Sequence, residues 1–386
     1  MSTHNRPFPG RLSLRLAVTL LAGFGFTQDA GADERWHPPH CTTVKGTYTV
    51  TFTADEGGTL AATDPAPARI NDHTFGLAAL QTPNTLLAVH NRTVQRSTDA
   101  GCRWTTLGEV DSVADSFPPN ITAAPGRRAY VWASGRNDLA RIDGTAISYL
   151  KSPVSGIVGL AADRGNARRV RLGGDNGTLW ESKDGGISWR QIGKALPDAP
   201  PLIYHAEFNR KNLDQALFGV ASGGVYVTQD GGNTWTRSSG LSSTRTGKVN
   251  IFKLASSPSQ PQTVWAVGID LAEADARVPS DGRHIYLSRD GGITFAPVVD
   301  QSADVSLVNG PTMAAHPTDR NVLYFVFGTS YQKYGTDLYR YDDSAHKVTK
   351  THNAHDEINA IAFNPADPKV MYLGIAWERM TQRPTK

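Results

Sequence analysis

The stretch Ser182-Lys183-Asp184-Gly185-Gly186-Ile187-Ser188-Trp189 recurs as a near copy three more times in the chain. The copies occupy residues 97–104, 228–235 and 288–295, and all four fit the frame Ser/Thr-x-Asp-x-Gly-x-x-aromatic. We call each eight-residue copy a repeat turn, because strand-like residues such as 224–227 precede it and further strand-like residues follow. A strand–turn–strand unit that recurs along a chain is the signature of a repeat architecture.

The residue types in this frame suit a tight hairpin turn. Aspartate is a short acceptor whose carboxylate bonds backbone N–H groups a few positions on. The glycine two positions later accepts the positive φ that such a turn needs, and the closing aromatic residue buries a large apolar body. We therefore expect a structural role for Asp99, Asp184, Asp230 and Asp290. Replacing Asp230 with alanine is expected to loosen one turn and to lower stability modestly.

The spacing of the repeat turns indicates four-stranded blades. Asp184 and Asp230 are 46 residues apart, whereas the 85 residues from Asp99 to Asp184 leave room for one more unit. Two further units follow the fourth turn, so we predict an all-β, seven-bladed β-propeller, with six or eight blades as the alternatives. The predicted blades are 75–112, 119–152, 156–196, 202–242, 248–300, 306–352, and 357–386 together with 45–62. Both chain ends then close the last blade, which removes exposed sheet edges.

The first 32 residues have the features of a secretory signal peptide. Three arginines precede an apolar run at 16–26, and Ala30-Gly31-Ala32 forms an A-x-A cleavage motif. We therefore expect residues 33–386 to form the mature protein, a single propeller domain that is periplasmic or extracellular. Its arm, residues 33–62, is expected to help close the last blade.

Cys41 and Cys102 are the two cysteines of the sequence. Because disulfides form in exported proteins, we expect these two residues to be paired. Two buried free thiols are the alternative, and two cysteines are too few for a typical structural zinc site.

Charge and composition exclude several functions. Removing residues 1–32 takes three Arg and one Asp from 39 basic and 36 acidic residues, which leaves 36 and 35. A nearly neutral surface argues against nucleic-acid binding, and no run beyond the N-terminus is apolar enough for membrane insertion. We expect no cofactor, because the sequence lacks a phosphate loop, a dinucleotide fingerprint and a Ser/His/Asp nucleophile signature.

Two short polar segments contain groups that can bind metals. Residues 352–357 include two histidines, an aspartate and a glutamate, and residues 37–40 include two more histidines. Such groups can bind zinc or another divalent ion. Since 352–357 lies between two blades, where polar connectors are ordinary, we interpret it as a connector and predict no metal site.

The repeat turns resemble the Asp-box, or BNR repeat, of β-propellers. That superfamily includes sialidases and other glycoside hydrolases, but Ala68-Arg69-Ile70-Asn71 lacks the proline of the sialidase Arg-Ile-Pro motif and no arginine triad can be assigned. Glu207, Glu273 and Asp275 remain as carboxylates that other glycosidase mechanisms could use. The chain also resembles photosystem II assembly factors and secreted bacterial propellers that bind extracellular proteases. These resemblances imply a non-catalytic platform for protein binding.

Two long connections between second and third strands indicate where binding occurs. They are residues 270–284 and 328–336, they belong to adjacent blades, and long loops are disproportionately functional. The C-terminal segment is expected to emerge on the same face. The candidate binding residues are Glu273, Asp275, Arg277, Tyr331, Lys333, Tyr334, Trp377 and Arg379. We predict a protein partner, with a glycan-binding lectin, a sialidase-like hydrolase or a solvated face without a ligand as alternatives.

Overall fold

Four-stranded antiparallel sheets dominate the structure. The computed structural model describes residues 35–66, 72–110, 119–198, 200–244, 247–329, 335–353 and 357–377, and these belong to one compact unit. The predicted signal peptide, residues 1–32, lies outside the described residues. Seven blades form a β-propeller, as the repeat spacing predicted.

The arm contains β1 (Thr43–Lys45), β2 (Val50–Thr53) and β3 (Ala62–Asp64). Blade one consists of β4 (Asp72–Ala79), β5 (Leu86–His90), β6 (Thr93–Ser97) and β7 (Thr105–Glu109). Blade two consists of β8 (Pro119–Ala123), β9 (Arg128–Ala133), β10 (Asp138–Asp143) and β11 (Ala146–Lys151). Blade three consists of β12 (Ile157–Ala162), β13 (Val170–Gly174), β14 (Leu179–Ser182) and β15 (Arg190–Ile192).

Blade four consists of β16 (Ile203–Phe208), β17 (Ala216–Val220), β18 (Gly224–Thr228) and β19 (Thr236–Arg237). Blade five consists of β20 (Val249–Ser256), β21 (Val264–Asp270), helix α1 (Leu271–Asp275), β22 (Arg283–Ser288) and β23 (Ala296–Asp300). Blade six consists of β24 (Met313–Ala315), β25 (Val322–Thr329), β26 (Gly335–Asp342) and β27 (Lys347–Asn353). Blade seven begins with β28 (Glu357–Phe363) and β29 (Met371–Trp377). Among the residues described, no helix has the length and apolar character of a membrane span.

The arm completes blade seven. Strand β2 pairs antiparallel with β29, with Val50 opposite Gly374, and the Ala61 N–H donates to the Phe52 carbonyl at 2.9 Å just before β3. Strand β1 pairs with β3 and reaches blade one, where the Lys45 N–H donates to the Cys102 carbonyl at 2.8 Å. Both ends of the propeller domain therefore contribute strands to the same blade, and β2 covers the edge of β29.

The hydrophobic core lies between neighbouring blades. One cluster joins Leu179 of blade three to Phe218 of blade four, and another joins Trp265 of blade five to Phe325 of blade six. Second strands such as β13 and β17 are buried at every position. Strand β17 is a continuous apolar run, as expected for a strand covered on both sides, whereas β13 also contains the buried Arg171.

All four repeat turns connect the third and fourth strands of their blades. In the third, Thr228 Oγ1 donates to Asp230 Oδ1 at 2.8 Å, and the N–H groups of Gly232 and Thr234 donate to Thr228 Oγ1 and Asp230 Oδ1 at 2.8 and 2.9 Å. The same bonds recur in the turns of Asp99, Asp184 and Asp290.

A fifth turn of this geometry lies in the arm and was not recognised in the sequence. Thr53 Oγ1 donates to Asp55 Oδ1 at 2.6 Å, and the N–H groups of Gly57 and Thr59 donate to Thr53 Oγ1 and Asp55 Oδ1 at 2.9 and 2.8 Å. Its sequence does not fit the frame of the other four turns, because Leu60 stands where they have an aromatic residue.

Cys41 and Cys102 form a disulfide, with their sulfur atoms 2.02 Å apart. The bond links the arm to the first repeat turn, as expected. The arm is held at two further points: Trp36 Nε1 donates to the Leu80 carbonyl at 3.1 Å, and Asn364 Nδ2 donates to the His37 carbonyl at 2.8 Å.

Candidate functional site

The strand order defines two faces of the propeller. Turns between first and second strands share one face with the repeat turns, and we call this the turn face. Connections between second and third strands, and those between blades, share the other, which we call the loop face. The first strands of neighbouring blades contact one another around the axis, as β12 does β16 and β16 does β20.

The connection after β21 is the longest of its kind among the described residues. It runs from 271 to 282, whereas the equivalent connections at 91–92, 134–137, 175–178 and 221–223 have at most four residues. It begins with helix α1, which the sequence analysis treated as part of a loop. Asp270 followed three residues later by Glu273 is a helix N-terminal signal that would have indicated the helix.

Asp270 anchors this connection to the loop between blades four and five. Its side chain is 1% exposed and accepts from the N–H of Ala272 at 3.0 Å, which caps α1. It also accepts from the N–H and hydroxyl of Ser243 at 2.6 and 2.8 Å. Burial raises the pKa of Asp270, but the hydrogen bonds from Ser243 and Ala272 outweigh it and hold the pKa below its usual value.

His284 fixes the outer side of the connection. Its Nε2 lies 2.8 Å from Glu273 Oε2, and its Nδ1 lies 2.7 Å from Asp300 Oδ1. A carboxylate only accepts, so both bonds form together when both imidazole nitrogens carry hydrogen. The ring also packs edge-on against Tyr286, with centroids 5.4 Å apart. Burial, together with the charges of Asp270, Glu273 and Asp300, raises the pKa of Tyr286 well above its usual range.

Three predicted binding residues lie in this connection, and they differ in their surroundings. Glu273 is engaged by His284, whereas Asp275 and Arg277 are exposed. Arg277 has φ +52°, so a left-handed turn sets the direction of the chain at that position. The contacts of Asp270 and His284 hold connection 271–282 in place at both ends. The exposed charges of Asp275 and Arg277 therefore project from a fixed segment.

The other predicted binding residues cannot be placed with side chains. Tyr331, Lys333, Tyr334 and Arg379 lie outside the described residues, and Trp377 ends β29 with its backbone alone described. Thr329 ends β25 and Gly335 begins β26, and both of these strand ends lie at the loop face of blade six.

The axis opens at the loop face into a cavity of about 500 Å³. Its lining includes Lys253, Asn309, Glu357 and Asn359. Burial lowers the pKa of Lys253, and the charge of Glu207 opposes that shift. No local sequence pattern distinguishes these residues, because they come from the first strands and inter-blade loops of different blades.

The carboxylates considered for glycoside hydrolysis are not gathered in one place. Glu207 is the penultimate residue of β16, near the turn face, and its Oε1 accepts from the Ser256 N–H at 3.0 Å. Glu273 and Asp275 belong to α1 on the loop face. Glu207 therefore cannot pair with either of them across a glycosidic bond, which requires carboxyl groups within about 10 Å on opposite sides of it.

The histidines of the two segments that contain possible metal ligands make other contacts in the structure. The rings of His37 and His40 stack with centroids 4.7 Å apart, and His352 Nδ1 lies 3.0 Å from Asp337 Oδ1. Residues 354–356 lie outside the described residues. Within the parts of the chain that the structure describes, no three His, Cys, Asp or Glu side chains are grouped as metal ligands.

Comparison with known proteins identifies a relative that matches nearly the whole chain. It is the dispase autolysis-inducing protein of Streptomyces mobaraensis, which is 47% identical over 348 residues, covering 90% of this chain and 92% of the relative. The chain belongs to the dispase autolysis-inducing protein family. No protein-family model matches it.

Solved structures similar to this family member include both enzymes and binding proteins. The GH74 enzyme of Niastella koreensis superposes with a TM-score of 0.57 at 15% identity, covering 80% of this chain and 52% of the enzyme. The chain thus spans about half the length of that enzyme. YCF48 bound to a D1 peptide superposes with a TM-score of 0.53 at 11% identity, covering 86% and 99%. At these identities the likeness shows the fold alone.

Proposed function

We propose that this protein is an exported, non-catalytic propeller that binds another protein through the loop face, at connections 270–284 and 328–336. The observation that carries the proposal is the 47% identity, over 90% of the chain, to a protein named for inducing the autolysis of dispase. A protein that induces autolysis in another must act on it, which is a protein-interaction role.

The loop face supports this proposal by its construction. Connection 271–282 is held at Asp270 by serines of the preceding inter-blade loop and at His284 by two carboxylates. A rigid mount lowers the entropic cost of binding, since fewer groups must be ordered when the partner arrives. The exposed Asp275 and Arg277 offer opposite charges for electrostatic steering and orientation.

We further propose that the partner is a self-cleaving protease, and that binding promotes its autolysis. We extend the proposal to export, to the periplasm or the extracellular medium, which the disulfide supports. We also propose that the repeat turns are Asp-boxes. The shared pattern of aspartate, hydroxyl and N–H bonds in five turns supports that classification.

The test is incubation of the purified mature protein with dispase, with intact dispase followed by gel electrophoresis and complex formation measured by biolayer interferometry. We expect wild type to accelerate the loss of dispase. The double variant Asp275→Ala/Arg277→Ala should bind roughly tenfold more weakly, since two interface charges are removed. Arg103→Ala, which removes an exposed charge on the turn face, is the matched control and should behave as wild type.

Equal binding by wild type and the double variant, at unchanged melting temperatures, would refute the loop face as the binding surface. Failure of wild type to bind dispase or to alter its autolysis would refute the partner. Release of reducing sugar from xyloglucan or a sialoside by wild type would instead support the glycoside hydrolase alternative.

A further inference from the structure

The seven turns between first and second strands share one hydrogen-bonding pattern, which sets equivalent positions around the axis. In each turn the N–H of the first residue donates to a carbonyl that closes the turn. Examples are Ala124 to Arg128 at 2.8 Å, Asp163 to Arg169 at 3.0 Å and Ser257 to Thr263 at 2.9 Å. The residue that follows this donor lies at an equivalent position in each turn. These seven residues, one from each blade, form a ring on the turn face.

This ring is mostly apolar, with two cations side by side. Four places hold proline, at Pro125, Pro258, Pro317 and Pro365, and one holds Gln81. The turns of blades three and four hold Arg164 and Arg210 instead. All seven residues line one cavity of about 620 Å³ at the mouth of the axis. A volume of that size is typical of a ligand site.

The two arginines differ in how they are held. The Arg164 N–H donates to the Arg210 carbonyl at 2.8 Å, so their side chains start from adjacent backbone. Arg210 is braced, because Nε donates to the Ala162 carbonyl at 3.3 Å and Nη2 donates to the Ala123 carbonyl. The Arg164 side chain is exposed and makes no hydrogen bond or ion pair with the described residues.

At the mouth of this cavity, the positive charge of the basic side chains exceeds the negative charge that Glu207 can supply. Lys211 adds a third cation, whose Nζ donates to the Ser259 carbonyl at 3.0 Å. Among the described residues, Glu207 is the one carboxylate in the cavity lining, and burial raises its pKa. Burial and the neighbouring Arg164 lower the pKa of Arg210, although Glu207 opposes them. An added anion would relieve the repulsion between the arginines.

We infer that this ring binds an organic carboxylate with an apolar body. The unpaired fork of Arg164 matches a carboxylate in a bidentate pair, and Arg210 supports the same negative charge. The prolines, with the buried Leu80 and Phe208 that also line the cavity, provide an apolar wall for the rest of the ligand. The shared chemistry fits two sources: a free carboxylic acid, or an acidic residue of an extended peptide that enters the mouth.

Isothermal titration calorimetry with three probes tests the inference and separates the sources. The probes are hydrocinnamate, the peptide acetyl-Leu-Phe-Asp-amide and its asparagine counterpart. We expect binding of one or both carboxylates and weaker binding of the asparagine peptide. Arg164→Ala should weaken carboxylate binding at least tenfold, because a charge-assisted hydrogen bond is lost. Arg92→Ala, which removes an exposed arginine on the loop face, is the matched control.

Arg164→Ala is preferred over Arg210→Ala, because Arg210 braces two neighbouring blades and its loss can unfold the protein. Binding of the aspartate peptide but not of hydrocinnamate identifies a peptide site, and the reverse identifies a free acid. Equal affinity for the aspartate and asparagine peptides, equal affinity of wild type and Arg164→Ala, or no binding at millimolar probe overturns the inference. These outcomes are independent of the dispase assay, whose double variant lies on the opposite face.

Discussion

At the scale of single residues, the aspartates of the repeat turns are structural acceptors. Hydrogen bonds from the Ser188 hydroxyl and N–H lower the pKa of Asp184 to about 2, and those from the N–H and hydroxyl of Thr234 lower the pKa of Asp230 to about 2. Each carboxylate accepts from a residue four positions on. The negative charge of each carboxylate therefore stabilises the turn through these hydrogen bonds, and its role is structural and not proton transfer.

These shifts predict an acid-sensitive contribution to stability. Because the pKa of these two aspartates is about 2 when folded and near the ordinary 3.8 when unfolded, the contribution is complete above pH ~4 and is lost as pH falls through the folded value. The variant Asp184→Asn/Asp230→Asn should melt a few degrees lower at pH 7 and lose less on acidification from pH 5 to pH 2. Differential scanning calorimetry measures both, with Asp281→Asn, outside any repeat turn, as control. An unchanged acid response in the double variant would contradict this assignment.

At the scale of elements, the arm determines how the propeller closes. Strand β2 supplies the third strand of blade seven, and its continuation contains the fifth turn, centred on Asp55. The Cys41–Cys102 disulfide then holds the arm to blade one. A break in this closure would leave β29 as an exposed edge, so the arm is part of the domain and not an appended tail.

Removal of the disulfide should destabilise the whole propeller. The bond closes a loop of 61 residues, and a loop of this length contributes about 4 kcal/mol in the chain-entropy account. We expect Cys41→Ala/Cys102→Ala to lower the free energy of unfolding by about this amount, as measured by urea denaturation. Reduction of the wild-type protein should have the same effect. Stability equal to wild type in both cases would show that the other contacts of the arm suffice.

At the scale of the whole molecule, polar contacts of buried side chains join neighbouring blades. Arg171 of blade three is 1% exposed and donates to Glu181 Oε1 at 3.1 Å, to Asp214 Oδ1 at 2.9 Å and to the Leu213 carbonyl at 2.8 Å. The last two acceptors belong to blade four. Burial alone would raise the pKa of Glu181, but hydrogen bonds from Arg169 and Arg171 hold it below its usual value.

Loss of one partner of this buried cation should be costly. Glu181→Gln keeps the shape of the side chain but removes the charge opposite Arg171, so we expect a loss of about 2–3 kcal/mol in the free energy of unfolding. The control is Asp143→Asn. It breaks the Arg128 pair, whose carboxylate is 47% exposed, and should cost at most about 1 kcal/mol. Chemical denaturation measures the free energy of unfolding of both variants. Equal losses would contradict the prediction that Glu181→Gln costs more than Asp143→Asn.

The sequence by itself determined the fold class, the seven blades, the role of arm strand β2 and the four repeat turns. These follow from local patterns, since each turn is made by bonds over two to four residues and buried strands such as β17 are continuous apolar runs. The disulfide followed from the predicted export of the chain. Of the predicted binding residues, the structure describes Glu273, Asp275 and Arg277 in detail on the loop face, and their part in binding remains a prediction.

Only the tertiary structure decided which distant residues meet. The fifth turn lacks the closing aromatic residue of the frame. Its hydrogen bonds therefore identify it, whereas its amino-acid sequence does not. Asp300 joins His284 from 16 residues away, and Asp214 joins Arg171 from 43 residues away, because neighbouring strands and blades place them together. The arginine pair of the turn face forms only because the turns of the blades lie around one axis, which brings Arg164 and Arg210 together. Hydrogen bonds between residues close in sequence can be predicted from the sequence. Contacts between side chains distant in sequence depend on how the blades pack.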